Sequence, residues 1–164
     1  MKSHDSASDR LIATLLSEAE VLRSFKSLLN SEQQAILAGE VESLENIAQS
    51  KLQLVEQLNR FSAERQQFII SLGIGSDRAS MQQWADNTGN QAREAWTALL
   101  HAAEEAQQAN SFNGALIQTH LQHNQQALAA LLAAANQASL YGPDGQKTTT
   151  ANPASSGRSI IGKA

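Results

Sequence analysis

The chain has 164 residues, of which 41% are hydrophobic and only 4% aromatic, and it carries a formal net charge of −4. The acidic charge gives no reason to expect binding to nucleic acid or anionic lipid, and the absence of cysteine excludes disulfide frameworks and thiolate chemistry. No apolar run approaches the roughly 20 residues of a membrane span, and the polar start MKSHDSASDR has no apolar core of a signal peptide. We therefore expect a cytoplasmic protein with no direct membrane insertion.

The first part of the chain has the periodicity of two long helices. After a polar start at residues 1–8, which we expect to be frayed, apolar residues recur at spacings of three and four over residues 9–38, with Glu18 and Glu32 on the same track. Gly39 is the simplest place for this helix to end and for the chain to fold back.

The second helix is predicted over residues 40–72, and with the first it forms an antiparallel hairpin. Lys51 and Arg65 fall on its apolar seam. We expect their alkyl stems to cross apolar neighbours while their charges reach water.

Two glycine-containing breaks divide the rest of the chain. The segment Gly73 to Asp77 separates the hairpin from a short helix over residues 77–86, and a weaker break at residues 87–90 precedes a long helix over residues 90–140. Residues 142–164 are rich in Gly, Ser and Thr and contain both prolines, so we expect a flexible tail.

The pattern predicts an all-α protein with one helical domain over residues 9–141. No alternating β-branched segment competes with the helical periodicity, and no proline precedes Pro143. Much of the apolar content is alanine, which forms helices well but buries little area. We therefore expect an elongated helical bundle or coiled coil of about three long antiparallel helices, which gains burial from a partner.

Catalytic patterns are missing from the sequence. No glycine-rich loop follows a strand, and no serine lies in a nucleophile elbow. His120 and His123 are three residues apart and could face one ligand, but no carboxylate lies near them to complete a metal site. We expect no enzyme activity, no metal and no cofactor.

The last helix carries polar and apolar residues that favour binding. Asn110, Asn113 and Asn124 fall on its stripe, where they either fix the register of an internal seam or mark a face that stays open until another helix arrives. Leucines at 128, 131, 132 and 140 lie among alanines and form a shallow surface of the kind that receives a helix.

Tyr141 is the only tyrosine and stands where Gly142 and Pro143 end the helix. It is either held out for binding or folded back on the bundle.

Three runs resemble the C-terminal half of FlgN-type flagellar export chaperones: Asn113-Gly114, Asn124 to Leu128, and Leu140-Tyr141-Gly142-Pro143-Asp144-Gly145-Gln146. The resemblance covers residues 110–146 by specific motif and the rest of the chain by architecture. It implies a cytoplasmic type III secretion chaperone that covers the sticky terminal helix of hook-associated proteins and delivers them to the cytoplasmic domain of the flagellar export gate, with the export ATPase apparatus as a further partner.

The resemblance also implies roles for particular residues. The client helix would pack on the apolar residues of the last helix, and Tyr141 matches the family's tyrosine that docks at the export gate. The ending SIIGK, with Ile160, Ile161 and Lys163, resembles the family's short basic and apolar terminus. The client-binding candidates are Ile117, Leu121, Leu128, Leu131, Leu132 and Leu140.

Two other classes of function compete with the chaperone hypothesis. A self-associating coiled coil without a client would form a stable oligomer, and a metalloenzyme built on His120 and His123 would contain metal when purified.

Overall fold

The computed structural model describes the backbone of residues 2–139 and the side chains of residues 6–136. Four helices follow one another: α1 (Lys2–Ala38), α2 (Val41–Leu72), α3 (Arg78–Thr88) and α4 (Asn90–Ser139). No strand occurs in this part of the chain. The predicted all-α class is confirmed. The predicted tail, residues 142–164, lies outside the described residues.

The turn between α1 and α2 forms at the predicted glycine. Gly39 has a φ of 70°, a left-handed conformation that glycine adopts without steric cost. The N–H of Gly39 donates to the Ile36 carbonyl and the N–H of Glu40 to the Ala35 carbonyl, so the turn satisfies two carbonyls at the end of α1. At its other end α1 begins at Lys2 rather than near residue 9, because nothing in the polar start interrupts a helix as Gly or Pro would.

Two ion pairs join α1 to α2 across their seam. Arg65 donates to both carboxylate oxygens of Glu18 at 2.8 and 3.2 Å, and Lys51 donates to both oxygens of Glu32 at 3.0 and 3.1 Å. The two acids are 14 residues apart on α1 and the two bases 14 residues apart on α2, which is two heptads in each helix. The pairs therefore set one antiparallel register. The sequence predicted that the charges of Lys51 and Arg65 are solvated by water. In the structure each charge instead forms an ion pair with a carboxylate of α1.

The second break uses a glycine and a capping side chain. Gly73 ends α2 with a φ of 66°, and Asp77 begins α3 by accepting a hydrogen bond from the Ser80 N–H at 3.0 Å. The hydrogen bonds from the hydroxyl and the N–H of Ser80 lower the pKa of Asp77 below its ordinary value. Gly89, with a φ of 126°, then separates α3 from α4. Glycines thus lie at the boundaries between α2 and α3 and between α3 and α4.

The chain divides into two compact units, Met1–Thr119 and His120–Ala164. The core of the first unit combines residues from all four helices, with five alanines beside six large side chains. Alanines let the helices approach closely, and the large residues supply most of the buried apolar area. The core cluster contains Leu11, Leu15, Ala19, Ile69, Met81, Ala85, Ala92, Ala95, Trp96, Leu99 and Ala102.

Polar contacts fix α4 against α1 within the first unit. Lys26 donates to Glu105 at 2.5 Å, and this hydrogen bond lowers the pKa of the Glu105 carboxyl below its ordinary value. Asn113 is 2% exposed and donates through Nδ2 to the Leu29 carbonyl at 2.7 Å and to Glu32 Oε2 at 2.8 Å. In these contacts a higher residue number on α1 is paired with a higher residue number on α4, so α1 and this part of α4 run parallel. The helix α2 runs antiparallel to both.

The three asparagines that the sequence places on the apolar side of α4 therefore have different environments. Asn113 fixes the packing of α4, whereas Asn110 and Asn124 are exposed. In the second unit, every described side chain from residue 120 to residue 136 is exposed.

Asn113→Asp should destabilise the protein strongly, since it places a second carboxylate against Glu32 and removes the donor to the Leu29 carbonyl. We expect the free energy of unfolding to fall by at least about 2 kcal/mol. Asn110→Asp, the same change at an exposed position of the same helix, should alter it by less than about 0.5 kcal/mol. Urea unfolding followed by circular dichroism measures both, and equal losses would contradict the buried contact.

Candidate functional site

The candidate client-binding residues of α4 are exposed wherever their side chains are described. Ile117 belongs to the first unit and is 50% exposed. Four leucines of the second unit are 54% to 68% exposed, and we call them the leucine stripe: Leu121, Leu128, Leu131 and Leu132. The last candidate, Leu140, lies outside the described residues.

The leucine stripe lies on one side of its helix. At about 100° per residue, its four positions fall within an arc of about 100°, and Asn124 and Ala135 share that arc. The opposite side carries Gln126, Ala130 and Ala133, which are small or polar. The helix therefore presents one face with large apolar side chains and an opposite face with small or uncharged polar ones. No described residue covers the face with the leucines.

Large apolar side chains grouped on one exposed face usually mark a binding surface, because monomeric proteins seldom leave such groups uncovered. The alanines around the leucines are short enough for the backbone of a second helix to come close. The face can accordingly receive the apolar side of another helix.

The structure also contains a cleft that the sequence did not indicate. It has a volume of about 330 Å³ and is formed within the first unit, with Leu22, Leu58 and Trp96 among its lining residues and the Arg65 ion pair beside them. Trp96 is 5% exposed, and its indole N–H is buried without a hydrogen-bond partner among the described residues. The sequence signal for this cleft was weak, because Trp96 lies on a seam and resembles an ordinary core residue.

We also searched the described part of the chain for a metal site and for a membrane-spanning helix. The described residues contain no group of three or more His, Asp or Glu side chains that could hold a metal ion. His120 and His123 are both exposed. Within residues 2–139, no helix is long and apolar enough to cross a membrane.

Comparison with known proteins decides the family. A family model described as "FlgN protein" matches residues 1–149. The chain belongs to the FlgN family. The resemblance seen in its sequence is thereby confirmed.

FlgN relatives are similar to the chain along most of its length. "Flagella synthesis protein FlgN" of Yersinia enterocolitica is 30% identical over 139 residues, which cover 84% of this chain and 88% of the relative. The protein of the same name from Salmonella typhimurium strain LT2 is 26% identical over 142 residues, covering 86% and 92%. The one from Proteus mirabilis is 30% identical, covering 84% and 90%. No solved structure matches the chain.

The FlgN family match extends past the described residues, to residue 149. It therefore includes Tyr141 but not Ile160, Ile161 or Lys163. All four residues lie outside the part of the chain that the structure describes. Their roles in gate docking and in the terminal motif stay predictions.

The exposure of the stripe predicts that its leucines add little to folding. Leu128→Ala should change the free energy of unfolding by less than about 0.5 kcal/mol, whereas Leu15→Ala, at a fully buried position, should lower it by about 2–5 kcal/mol. Urea unfolding at two protein concentrations measures both. A loss at Leu128 that grows with protein concentration would show that the stripe is buried between copies of the chain.

Proposed function

We propose that this protein is a cytoplasmic export chaperone of the flagellar type III secretion system. It binds the sticky terminal helix of a hook-associated protein, prevents early assembly of that client and delivers it to the export gate. The observation that carries the proposal is the uncovered leucine stripe in a chain of the FlgN family, whose relatives are named flagella synthesis proteins. The proposal assigns the protein no catalytic step.

The physical argument begins with the apolar area that the client would cover. Burying an exposed leucine completely contributes roughly 1.5–3 kcal/mol, and the stripe leucines are already partly covered by their own helix. The four together therefore contribute on the order of 5 kcal/mol. A dissociation constant of about 1 µM needs about 8 kcal/mol after the costs of association are met.

The stripe by itself thus supports only a weak complex. Ile117 and Leu140, at either end of it in the sequence, are the candidates for the remaining contacts. A complex of moderate affinity is suited to a chaperone, because the client must be released for export.

Delivery is the second part of the proposal and rests on the resemblance to the family. Tyr141 would dock at the cytoplasmic domain of the export gate, and the export ATPase apparatus is a further candidate partner. Ile160, Ile161 and Lys163 form the proposed terminal motif.

Leu128→Asp combined with Leu131→Asp should abolish client binding, since both carboxylates would be buried against an apolar helix without a counter-charge. The control is Ala130→Asp with Ala133→Asp, which has the same spacing on the opposite side of α4. Binding of the C-terminal segment of a hook-associated protein is measured by calorimetry, and helicity by circular dichroism.

The control pair should bind as the unmodified chain does. Full binding by the Leu128 and Leu131 variant would place the client elsewhere, with the cleft beside Trp96 as the next candidate.

Tyr141→Ala should leave the affinity for the client within about two-fold and lower the secretion of hook-associated proteins. Tyr141→Phe keeps the ring and loses the hydroxyl, so it shows which part of the side chain the gate needs. Secretion is measured from culture supernatants of cells that carry each variant. Normal secretion by Tyr141→Ala would remove the docking role.

A further inference from the structure

The leucine stripe lies in a long segment without charged residues. Between Glu105 and Asp144 the chain contains no Asp, Glu, Lys or Arg. At the chain average of 17% charged residues, these 38 positions would hold about six. The only histidines in this segment are His120 and His123.

This absence of charge limits what the stripe can bind. A charged residue of a partner, facing the stripe, would lose its hydration and find no opposite charge to replace it. Neutral polar groups are tolerated, because Asn124 lies on the same arc and can both donate and accept a hydrogen bond. The stripe therefore discriminates against charged helix faces without providing an attractive charge of its own.

The spacing of the stripe is that of a helix seam. Leu121 and Leu128 are seven residues apart, as are Asn124 and Leu131, and Ala135 lies seven residues after Leu128. Positions that repeat every seven residues stay in contact with a second helix that winds around the first in a left-handed supercoil. A helix that follows the stripe therefore carries its own apolar residues at alternating spacings of three and four.

We propose that the occupant of the leucine stripe is an amphipathic helix whose contact face carries no Asp, Glu, Lys or Arg. This inference rests on the proposed function, which makes the occupant a client protein, and it adds the client's chemistry. Apolar burial and neutral hydrogen bonds hold the complex together, and its affinity does not depend on salt.

Two amide-to-acid substitutions test the inference, because each adds a charge with almost no change of shape. Asn124→Asp places the charge on the arc of the stripe, and Gln126→Glu places one on the opposite side of the same helix. The probe is the C-terminal segment of a hook-associated protein. We expect Asn124→Asp to weaken its binding at least ten-fold and Gln126→Glu to change it by less than about two-fold. Binding by Asn124→Asp at the unmodified affinity overturns the inference.

Salt dependence gives an independent measurement on the unmodified chain. The dissociation constant is determined from about 50 to about 500 mM NaCl. The pH is kept at about 8, where an ordinary imidazole is neutral. We expect a change of less than about three-fold across this range. A weakening of ten-fold or more would show that opposite charges contribute to the complex, and would contradict the inference while leaving the chaperone function intact.

Other occupants give different outcomes. A second copy of the chain on the stripe would produce a dimer in sedimentation experiments that Leu128→Asp dissolves, and this result overturns the inference. The chain's own terminal motif on the stripe would make the variant Ile160→Asp with Ile161→Asp bind client several-fold more tightly, which also overturns it. Failure of every client segment to bind removes the proposed function itself, and the inference with it.

Discussion

One carboxylate, that of Glu32, connects the three long helices of the first unit. It comes from α1, receives two hydrogen bonds from Lys51 of α2 and one from Asn113 of α4, and is largely buried. A buried charge is tolerated only where such partners replace its hydration, so the three helices have to meet at one register to satisfy it. The Glu18–Arg65 pair repeats the same constraint two heptads away on the hairpin.

This constraint matters because nearly half of the core cluster is alanine. Five of its eleven clustered residues are alanines, and the six large ones are Leu11, Leu15, Ile69, Met81, Trp96 and Leu99. Alanine surfaces are smooth and can slide past one another with little loss of buried area. Specific polar contacts select one arrangement among several that bury similar area. Asn113 is also the most C-terminal buried residue among those with described side chains.

Leucine and alanine, which form the buried core of the first unit, are exposed in the described part of the second unit. Its leucines are exposed and its alanines give a partner close access, in a segment from which charge is absent. In the proposed complex no opposite charges on this segment steer the encounter, so association would depend on the shape and apolar area of the partner. Under the proposed function the protein has to hold a client and then release it, and a neutral apolar face suits both needs without any chemical step.

The helices, the breaks between them and the residues of the stripe are predictable from the sequence, because these depend on local properties: periodicity, the left-handed conformation of Gly39 and Gly73, and the Asp77 cap. The start of α1, at Lys2 rather than near residue 9, is not predicted. The tyrosine and the terminal motif also come from the sequence and stay predictions. Which polar residues are buried becomes clear only from the packing of the helices. The sequence pattern does not distinguish Asn110, Asn113 and Asn124 from one another. It predicts that the charges of Lys51 and Arg65 are exposed to solvent. Their environments depend on which helix lies opposite and at what register, and that is set by contacts between residues far apart in the chain.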